Sequence, residues 1–189
     1  FPEDLFHKLG EMGYMGVLVP HKYGGSEMDY HEYITVIEEI SKVDSSVGLS
    51  LAAHNSLCTN HILEFGNEEQ KQKYLIPTIN GEKKSCFAMT EPDAGSDTQN
   101  LKMTAVKDGD EWVLNGEKTF ITGGNEADFV MVIAITDKEL HSKTGREGVT
   151  CFIVDRDMGW KSEYIDTMGE WGPAGLVFDN VRVPEANIL

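Results

Sequence analysis

The sequence predicts an α+β protein in which an N-terminal all-α helical bundle is followed by an antiparallel β-barrel or sandwich domain. Apolar residues recur at helical spacing through roughly the first eighty of the 189 positions. After Lys84 the pattern changes to at least six short runs rich in Val, Ile and Phe, separated by Gly, Asn and Asp turns. We therefore place a helical domain at residues 1–82 and a middle β domain at residues 83–189.

Capping residues mark the helices of the first domain. Helix starts are predicted where Pro or an acidic, amide or hydroxyl residue precedes an apolar-periodic run, at Pro2, Asp29, Asp44 and Asn67. The second and fourth of these starts have a Glu or Gln three residues later, which is the capping-box spacing. The last helix is expected to bend or end near Pro77, because proline lacks the N–H group that a helix interior uses.

Turn-forming residues divide the second domain into strands. Residues 108–110 (DGD) predict a hairpin between two strands, and Asn115 with Gly116 predicts a second tight turn. Three longer apolar runs predict further strands, at 129–136, 148–155 and 175–183. The charged segment 137–148 is predicted to be a mobile loop.

Composition excludes several classes of function. The net charge of −16 and the lack of a basic cluster argue against nucleic-acid binding and against attachment to anionic membranes. The longest clean apolar run, 129–135, is too short to span a bilayer, so no membrane segment is expected. Three widely spaced cysteines (Cys58, Cys86 and Cys151) indicate reduced thiols in a reducing compartment, either a bacterial cytoplasm or a mitochondrial matrix.

Familiar catalytic and metal motifs are missing from the sequence. His54 and His61 are seven residues apart, whereas a metal pair on a helix prefers three or four, so no metal site is expected. No Gly-x-Ser-x-Gly elbow, Walker loop or dinucleotide glycine fingerprint is present.

Two places where a strand ends carry the strongest candidate site. Thr90 follows the apolar run 86–89, and Gly95 and Ser96 can then expose successive backbone N–H groups, which hold phosphate without needing a cation. A second strand end carries Phe120 and Thr122 ahead of two glycines. On the residues alone, two readings stay open: a site for a flat heteroaromatic ligand that bears phosphates, and two plain β-turns.

Four segments resemble the acyl-CoA dehydrogenase family, in family order and over essentially the whole chain. They are FGNEEQKQKYL (65–75), FAMTEPDAGSD (87–97), WVLNGEKTFITGG (112–124) and LVFDNVRVPEANIL (176–189). The resemblance implies a helical domain, a β domain and a further helical bundle around FAD and an acyl-CoA thioester. It also implies α,β-dehydrogenation of the acyl chain, by removal of the α proton and transfer of the β hydride to the flavin. The stretch AAHNSLCTNHI (52–62) is more similar to short-chain or branched-chain members.

The resemblance assigns cofactor contacts to eight positions: Phe87, Met89, Thr90, Gly95, Ser96, Phe120, Ile121 and Thr122. It implies that Thr90 bonds the pyrimidine end of the flavin and that Thr122 donates to flavin N5, with Phe120 against the ring. Gly95 and Ser96 would approach the pyrophosphate, and Ser96 would also bind the pantetheine arm of the substrate. Phe120 is a departure, since tryptophan is frequent there, and so is the segment 170–173 (EWGP), where many members carry an Arg-Gly-Ser-like sequence.

The resemblance places the catalytic base, a glutamate, in a C-terminal domain beyond Leu189, and the first helix of the N-terminal domain is expected to be missing. No residue of this chain is therefore predicted as a catalytic residue, and the fragment itself is expected to be inactive. The implied partners are electron-transfer flavoprotein as acceptor and a homotetramer of the full-length parent. Two alternatives stay open: an acyl-CoA oxidase or flavin monooxygenase of the same superfamily, and a non-catalytic binding module with the same fold.

Overall fold

A computed structural model describes residues 3–168 and 172–189, and the chain forms two compact units that divide between Cys86 and Phe87. The first unit is helical and the second is built on a seven-stranded sheet. The α+β class predicted from the sequence is therefore confirmed.

The helical unit consists of short helices in sequence. They are α1 (Glu3–Glu11), α2 (Tyr30–Val43), α3 (Ser45–Ala53), α4 (Asn60–Phe65), α5 (Glu68–Gln70) and α6 (Ile76–Ile79). Two π-helical turns, His54–Thr59 and Lys71–Leu75, join α3 to α4 and α5 to α6. The second π turn lies just before Pro77, where the sequence predicts a bend.

The predicted capping residues form the expected bonds. Asp29 and Glu32 make a reciprocal capping box at the start of α2, and Asn67 and Gln70 make another at the start of α5. Asp44 accepts hydrogen bonds from two backbone N–H groups at the start of α3. Each bond satisfies an N–H group that a helix leaves without an internal partner. Pro2 lies outside the described residues.

Apolar side chains from α1, α3 and the turn after α1 form a core within the helical unit. Phe6, Leu9, Met15 and Leu51 are its buried members, and half-buried residues of α2 pack against them. The helices of this unit are thus held by apolar contacts between amphipathic faces, which supply most of the stability of short helices in proteins.

The β unit contains seven strands and one helix. They are β1 (Ser85–Ala88), β2 (Thr104–Asp108), β3 (Glu111–Ile121), β4 (Phe129–Ile135), α7 (Lys138–Thr144), β5 (Val149–Asp155), β6 (Lys161–Tyr164) and β7 (Ala174–Pro184). The sheet order is β1-β4-β2-β3-β7-β6, and β5 pairs with β4.

The sheet is mixed, which corrects the prediction of an antiparallel barrel or sandwich. β2 pairs with β3, β3 with β7, β4 with β5 and β6 with β7, all antiparallel. β2 and β4 are parallel where Thr104 lies opposite Ile135. A parallel contact needs a long connection, and here the chain passes through the whole of β3 between the two strands.

The turn predicted at Asn115 and Gly116 is wrong. β3 continues through both residues, and its pairing with β7 shifts register between Leu114 and Gly116. Gly116 has φ +147°, and a Cβ there would lie 2.8 Å from Met103. The glycine therefore marks a bulge and a close approach of two chain segments instead of a hairpin turn.

The mobile loop predicted at residues 137–148 is also wrong over most of its length. The segment Lys138–Thr144 is α7, Asp137 caps it by accepting from the N–H of Leu140, and Gly145 ends it with φ +70°. The cap, and the ion pair of Glu139 with Lys143 at i,i+4, are local signals of a helix that the charge pattern obscured.

All three cysteines are free thiols; Cys58 and Cys86 are buried and Cys151 is half-buried. Burial raises the pKa of Cys58 to about 12, so this thiol stays protonated and inert at neutral pH. Within the described ranges, no helix combines the length and apolar character needed to cross a bilayer.

Candidate functional site

The two strand ends singled out in the sequence lie side by side in the β unit. Thr90 follows β1 by two residues, and Thr122 follows β3 by one. The backbone N–H of Thr119 donates to the carbonyl oxygen of Thr90 at 2.9 Å. The structure thus brings the two candidate segments together, although some thirty residues separate them in the sequence.

A buried ion pair fastens the same two segments. Lys118 Nζ donates to Glu91 Oε1 at 2.8 Å and to the carbonyl oxygen of Met89 at 2.9 Å. The side chains of Lys118 and Glu91 are 0% and 4% exposed. Removal from water lowers the pKa of Lys118, and the bond to Glu91 works in the opposite direction.

The carboxylate of Glu91 binds a third segment as well. Its two oxygens accept from the backbone N–H groups of Lys102, at 2.6 Å, and Met103, at 3.1 Å. Met103 in turn accepts from the N–H of Ile135 at the end of β4. Glu91 therefore joins the loop after β1 to β3, through Lys118, and to the approach to β2.

The loop after Glu91 presents backbone donors to solvent. Reciprocal bonds between the main chains of Glu91 and Ala94, at 2.8 and 3.2 Å, close the turn. Gly95 and Ser96 are exposed, and their N–H groups donate to no acceptor among the residues that the structure describes. A Cβ at Gly95 would meet no atom within 4 Å, so the packing of this chain does not itself require glycine there.

Phe120 has an unusual backbone for an aromatic residue. Its φ is +58°, and its side chain is 64% exposed. The pairing of β3 with β7 shifts register between Lys118 and Ile121, which accommodates Phe120 as a bulged residue. A bulky residue at positive φ is strained, and such strain clusters at functional sites.

Ile121 and Thr122 differ in what they can offer a ligand. The side chain of Ile121 is buried, so only its backbone is available for contact. Thr122 is half-buried, and its hydroxyl forms no hydrogen bond to a described residue. The N–H of Gly124 donates to the carbonyl of Ile121 at 3.2 Å, so Thr122 and Gly123 (φ +71°) are the central residues of a turn.

Phe87 and Met89 share one side of the first segment. The side chains of Cys86 and Ala88 are buried, whereas those of Phe87 and Met89 are half-buried, as the alternation of a strand predicts. Phe87 and Met89 therefore lie on the face of β1 opposite to the core.

One predicted departure from the family lies largely outside the described residues. Of the segment 170–173, Glu170 and Trp171 are not described, while Pro173 accepts a hydrogen bond from the N–H of Ile165 at 2.9 Å. The consequence of this departure for substrate or subunit contacts remains a prediction.

Three residues that hold the site together were missed in the sequence: Glu91, Lys118 and Arg156. Arg156 donates to main-chain carbonyls of the turn after Thr122, at Gly124 and Asn125. Lys118 had a signal, since it lies four residues after Leu114 on the buried side of β3. Glu91 and Arg156 had none, because their partners are backbone groups far along the chain.

Within the described part of the chain, no group of three or more His, Cys, Asp or Glu residues is arranged to hold a metal ion. His54 is buried and bonds through Nε2 to the carbonyl oxygen of Met15 at 3.0 Å. Burial lowers its pKa to about 4, so its ring is neutral at pH 7 and takes part in packing.

Comparisons with known proteins agree with the architecture of both units. Residues 1–82 match the model of the acyl-CoA dehydrogenase N-terminal domain, and residues 86–181 match that of the middle domain. An acyl-CoA dehydrogenase of Bacillus subtilis is 42% identical over all of this chain and 50% of its own length. The mitochondrial isovaleryl-CoA dehydrogenase of Pongo abelii is 43% identical, over 98% of this chain and 44% of its own length.

A solved structure shows the same fold. The butyryl-CoA dehydrogenase of Megasphaera elsdenii superposes with a TM-score of 0.92 at 38% identity, covering all of this chain and 50% of the other. The chain spans about half the length of the curated relatives it matches. With both domain models matched in order over nearly all of its length, the chain belongs to the acyl-CoA dehydrogenase family.

Proposed function

We propose that this chain forms the flavin and pantetheine side of an FAD-dependent acyl-CoA dehydrogenase. The observation that carries the proposal is the joining of the Thr90 and Thr122 segments by Lys118 and Glu91, with uncommitted donors on both. Bound FAD would supply the hydride acceptor for α,β-dehydrogenation of the acyl-CoA thioester.

The residues present suit such a cofactor. Gly95 and Ser96 offer backbone N–H groups, which bind phosphate in a protein too acidic to attract it by charge alone. Thr90 and Thr122 offer hydroxyl groups without partners among the described residues, and the exposed ring of Phe120 would shield a flat aromatic system from water. Ser96 would also bind the pantetheine arm of the substrate.

Proton removal lies outside the proposed role of this chain. The family resemblance implies a glutamate base C-terminal to Leu189, and no carboxylate described here is proposed for that role. We further propose that the longer protein assembles as a homotetramer and passes electrons to electron-transfer flavoprotein, in a bacterial cytoplasm or a mitochondrial matrix.

Gly95 allows a test that separates binding from folding. In the full-length protein, Gly95→Ala should weaken FAD binding about tenfold, since a Cβ would block approach to charge-assisted N–H donors. The thermal midpoint of the apoprotein should stay unchanged, because the space around this Cβ is open. The readouts are a fluorescence titration with FAD and a thermal melt.

Gly175→Ala is the matched control, because an added Cβ there would meet only the carbonyl oxygen of Lys118 at 3.9 Å. This variant should change neither measurement. Equal FAD affinity in the wild type and in Gly95→Ala would exclude close approach of the cofactor to this loop. A full-length protein that stays colourless after incubation with FAD would instead favour the non-catalytic binding module.

Two further measurements test the reaction itself. Stopped-flow reoxidation of the reduced full-length protein should be slow in air, and fast reaction with oxygen would favour the oxidase alternative. The 189-residue chain alone should oxidise butyryl-CoA with a dye acceptor at least about 100-fold more slowly than the full-length protein, because it lacks the proposed base. Comparable rates would refute the assignment of the base.

A further inference from the structure

We propose that Arg156 is a positioning residue that holds the turn carrying Thr122 in the geometry needed at the flavin. The inference rests on the proposed function, and it concerns a residue that neither the sequence motifs nor the family resemblance singles out. Arg156 lies at the end of β5, 34 positions after Thr122 in the sequence, and acts through main-chain carbonyls.

The guanidinium of Arg156 gathers the segment that follows Thr122. Its Nη2 donates to the carbonyl oxygens of Gly124, at 3.0 Å, and Asn125, at 2.6 Å. Its Nε donates to the carbonyl oxygen of Ala127 at 3.1 Å. Three carbonyls within four residues are thereby turned towards one side chain.

The side chain of Arg156 is itself fixed by its surroundings. Its Nη1 donates to the hydroxyl of Ser162 on β6 at 3.1 Å. The guanidinium lies over the ring of Trp160, 3.7 Å from its centre, and Trp160 is buried and donates from Nε1 to the carbonyl of Asp155. The backbone N–H of Arg156 also donates to the carbonyl of Asp128 at 2.8 Å. The group that holds the turn is therefore anchored at four points.

A second constraint acts on the same turn through packing. Gly124 is buried, and a Cβ there would lie 2.8 Å from the Cβ of Ala174 on β7. The turn is closed by the bond from Gly124 N–H to the carbonyl of Ile121. Packing against β7 and the hydrogen bonds of Arg156 together leave Thr122, between these two residues, little freedom to move.

Lysine cannot replace this arrangement. The guanidinium is a rigid fork that can serve several acceptors in one plane while stacking on an indole, whereas an ammonium is a point donor on a flexible chain. Arg156→Lys keeps the charge and much of the side-chain volume but cannot reach all four acceptors. Misplacing a positioned group by about 1 Å can lower an enzymatic rate on the order of 100-fold.

The test compares Arg156→Lys with Arg182→Lys in the full-length protein. Arg182 is the matched control because it is also an arginine of the β unit, but it forms exposed ion pairs with Asp108 and Glu111. The measurements are hydrogen exchange of residues 121–128 in the apoprotein, the visible circular dichroism and affinity of bound FAD, and turnover of butyryl-CoA.

For Arg156→Lys we expect faster exchange in 121–128, an altered flavin dichroism band, FAD binding weakened about tenfold and kcat lowered about tenfold or more, with KM for butyryl-CoA within about twofold. The control should match the wild type in all four. Ser162→Ala, which removes a single bond, should shift the flavin band in the same direction by less, and it serves as the test if Arg156→Lys does not fold.

The outcomes separate the inference from the proposed function. Faster exchange with unchanged flavin dichroism and FAD affinity would show that Arg156 is merely structural and would overturn the inference. Unchanged exchange would show that the turn does not depend on Arg156, with the same consequence. A wild-type protein that binds no FAD would refute the proposed function, and the inference with it.

Discussion

The helical and β units both bury polar side chains, but they use different chemistry. The helical unit buries neutral groups, with His54 and Asn55 among them, whereas the β unit buries the ammonium of Lys118 against the carboxylate of Glu91. Both clusters fasten irregular chain segments to regular elements through backbone groups. They differ in what happens when one member is removed.

In the helical unit, a π turn directs amide and imidazole groups at the turn after α1. Asn55 donates to the carbonyl of Tyr14 at 3.0 Å and accepts from the N–H of Val17 at 3.3 Å, and His54 bonds to the carbonyl of Met15. An amide can donate and accept at once, so it satisfies a folded-back chain without placing charge in the core. This cluster fixes the architecture of the unit.

In the β unit, the ion pair gathers the segments that carry the proposed ligand contacts. Burying two charges costs several kcal/mol, of the order of the attraction between them, so such a pair is weak evidence of a gain in stability. What the pair supplies is a fixed relation between the loop after β1 and the end of β3. The contrast teaches that neutral burial here serves packing, whereas ionic burial coincides with the proposed site.

The largest expected effect comes from breaking the ion pair. Lys118→Met should lower the free energy of unfolding of the β unit by about 3–5 kcal/mol, because it leaves the Glu91 carboxylate buried without its cation. Tryptophan fluorescence during urea unfolding reports on this unit alone, since the three tryptophans are at positions 112, 160 and 171.

Lys102→Met is the control for this change, because Lys102 pairs with Asp93 at the surface, where both side chains are well exposed. It should leave the urea midpoint unchanged. The double variant Lys118→Met/Glu91→Gln should recover part of the loss, since it removes both charges. If Lys118→Met is as stable as the wild type, the ion pair does not hold these segments together.

The neutral cluster should appear instead as sensitivity to acid. Burial lowers the pKa of His54 from 6.5 to about 4, so between these values the unfolded chain binds a proton that the folded chain does not. Stability of the helical unit therefore falls as pH drops from about 6.5 to 4, by about 3 kcal/mol in total. Urea unfolding followed by circular dichroism at 222 nm measures it.

His54→Gln keeps a donor for Met15 but removes the titration, so this variant should lose most of the slope between pH 6.5 and 4. His31→Gln, at an exposed position, should retain it. Equal slopes in the wild type and His54→Gln would show that His54 is not the group responsible.

Removing the amide of the neutral cluster should have a smaller effect than breaking the ion pair. Asn55→Ala leaves the N–H of Val17 and the carbonyl of Tyr14 without partners in a buried place, which should cost about 2 kcal/mol. Chemical unfolding followed at 222 nm checks this value. Asn100→Ala, at an exposed residue, is the control, and a loss as large as that of Lys118→Met would remove the distinction between the two clusters.

The two units also differ in how much the sequence predicted. The helix starts at Asp29, Asp44 and Asn67 were correct because capping is local chemistry, readable within four residues. The strand through Asn115 and Gly116 was misread as a turn because the reason for its glycine, the close approach of Met103, lies outside any local window. The helix Lys138–Thr144 was missed because its charged surface hid a correct N-cap.

The same distinction applies to the site. The segments around Thr90 and Thr122 were recognised from residue types at strand ends and from the family resemblance. Their connection through Lys118 and Glu91 was not predicted, because a lone Lys or Glu in a sequence reads as a surface residue. Burial of the pair depends on which strands become neighbours, and the sequence pattern leaves that order open.

The smallest expected change in stability concerns backbone strain at Phe120. A left-handed backbone costs an ordinary residue about 1–2 kcal/mol, and glycine adopts it freely. Because Phe120 is 64% exposed, Phe120→Gly forfeits little burial. After the greater freedom of the unfolded glycine chain is included, the β unit should be unchanged or more stable by up to about 1 kcal/mol.

The helical unit provides the comparison for this strain. Glu27 also has positive φ, at +50°, but its carboxylate accepts from the N–H of His21 at 2.7 Å, so glycine there would lose a bond that offsets the relief. No such bond accounts for the conformation of Phe120. If Phe120→Gly weakens FAD binding in the full-length protein without loss of stability, the strain is retained for the ligand. If it destabilises the β unit with FAD affinity intact, Phe120 serves the fold, and the contrast between the two units narrows to their buried polar groups.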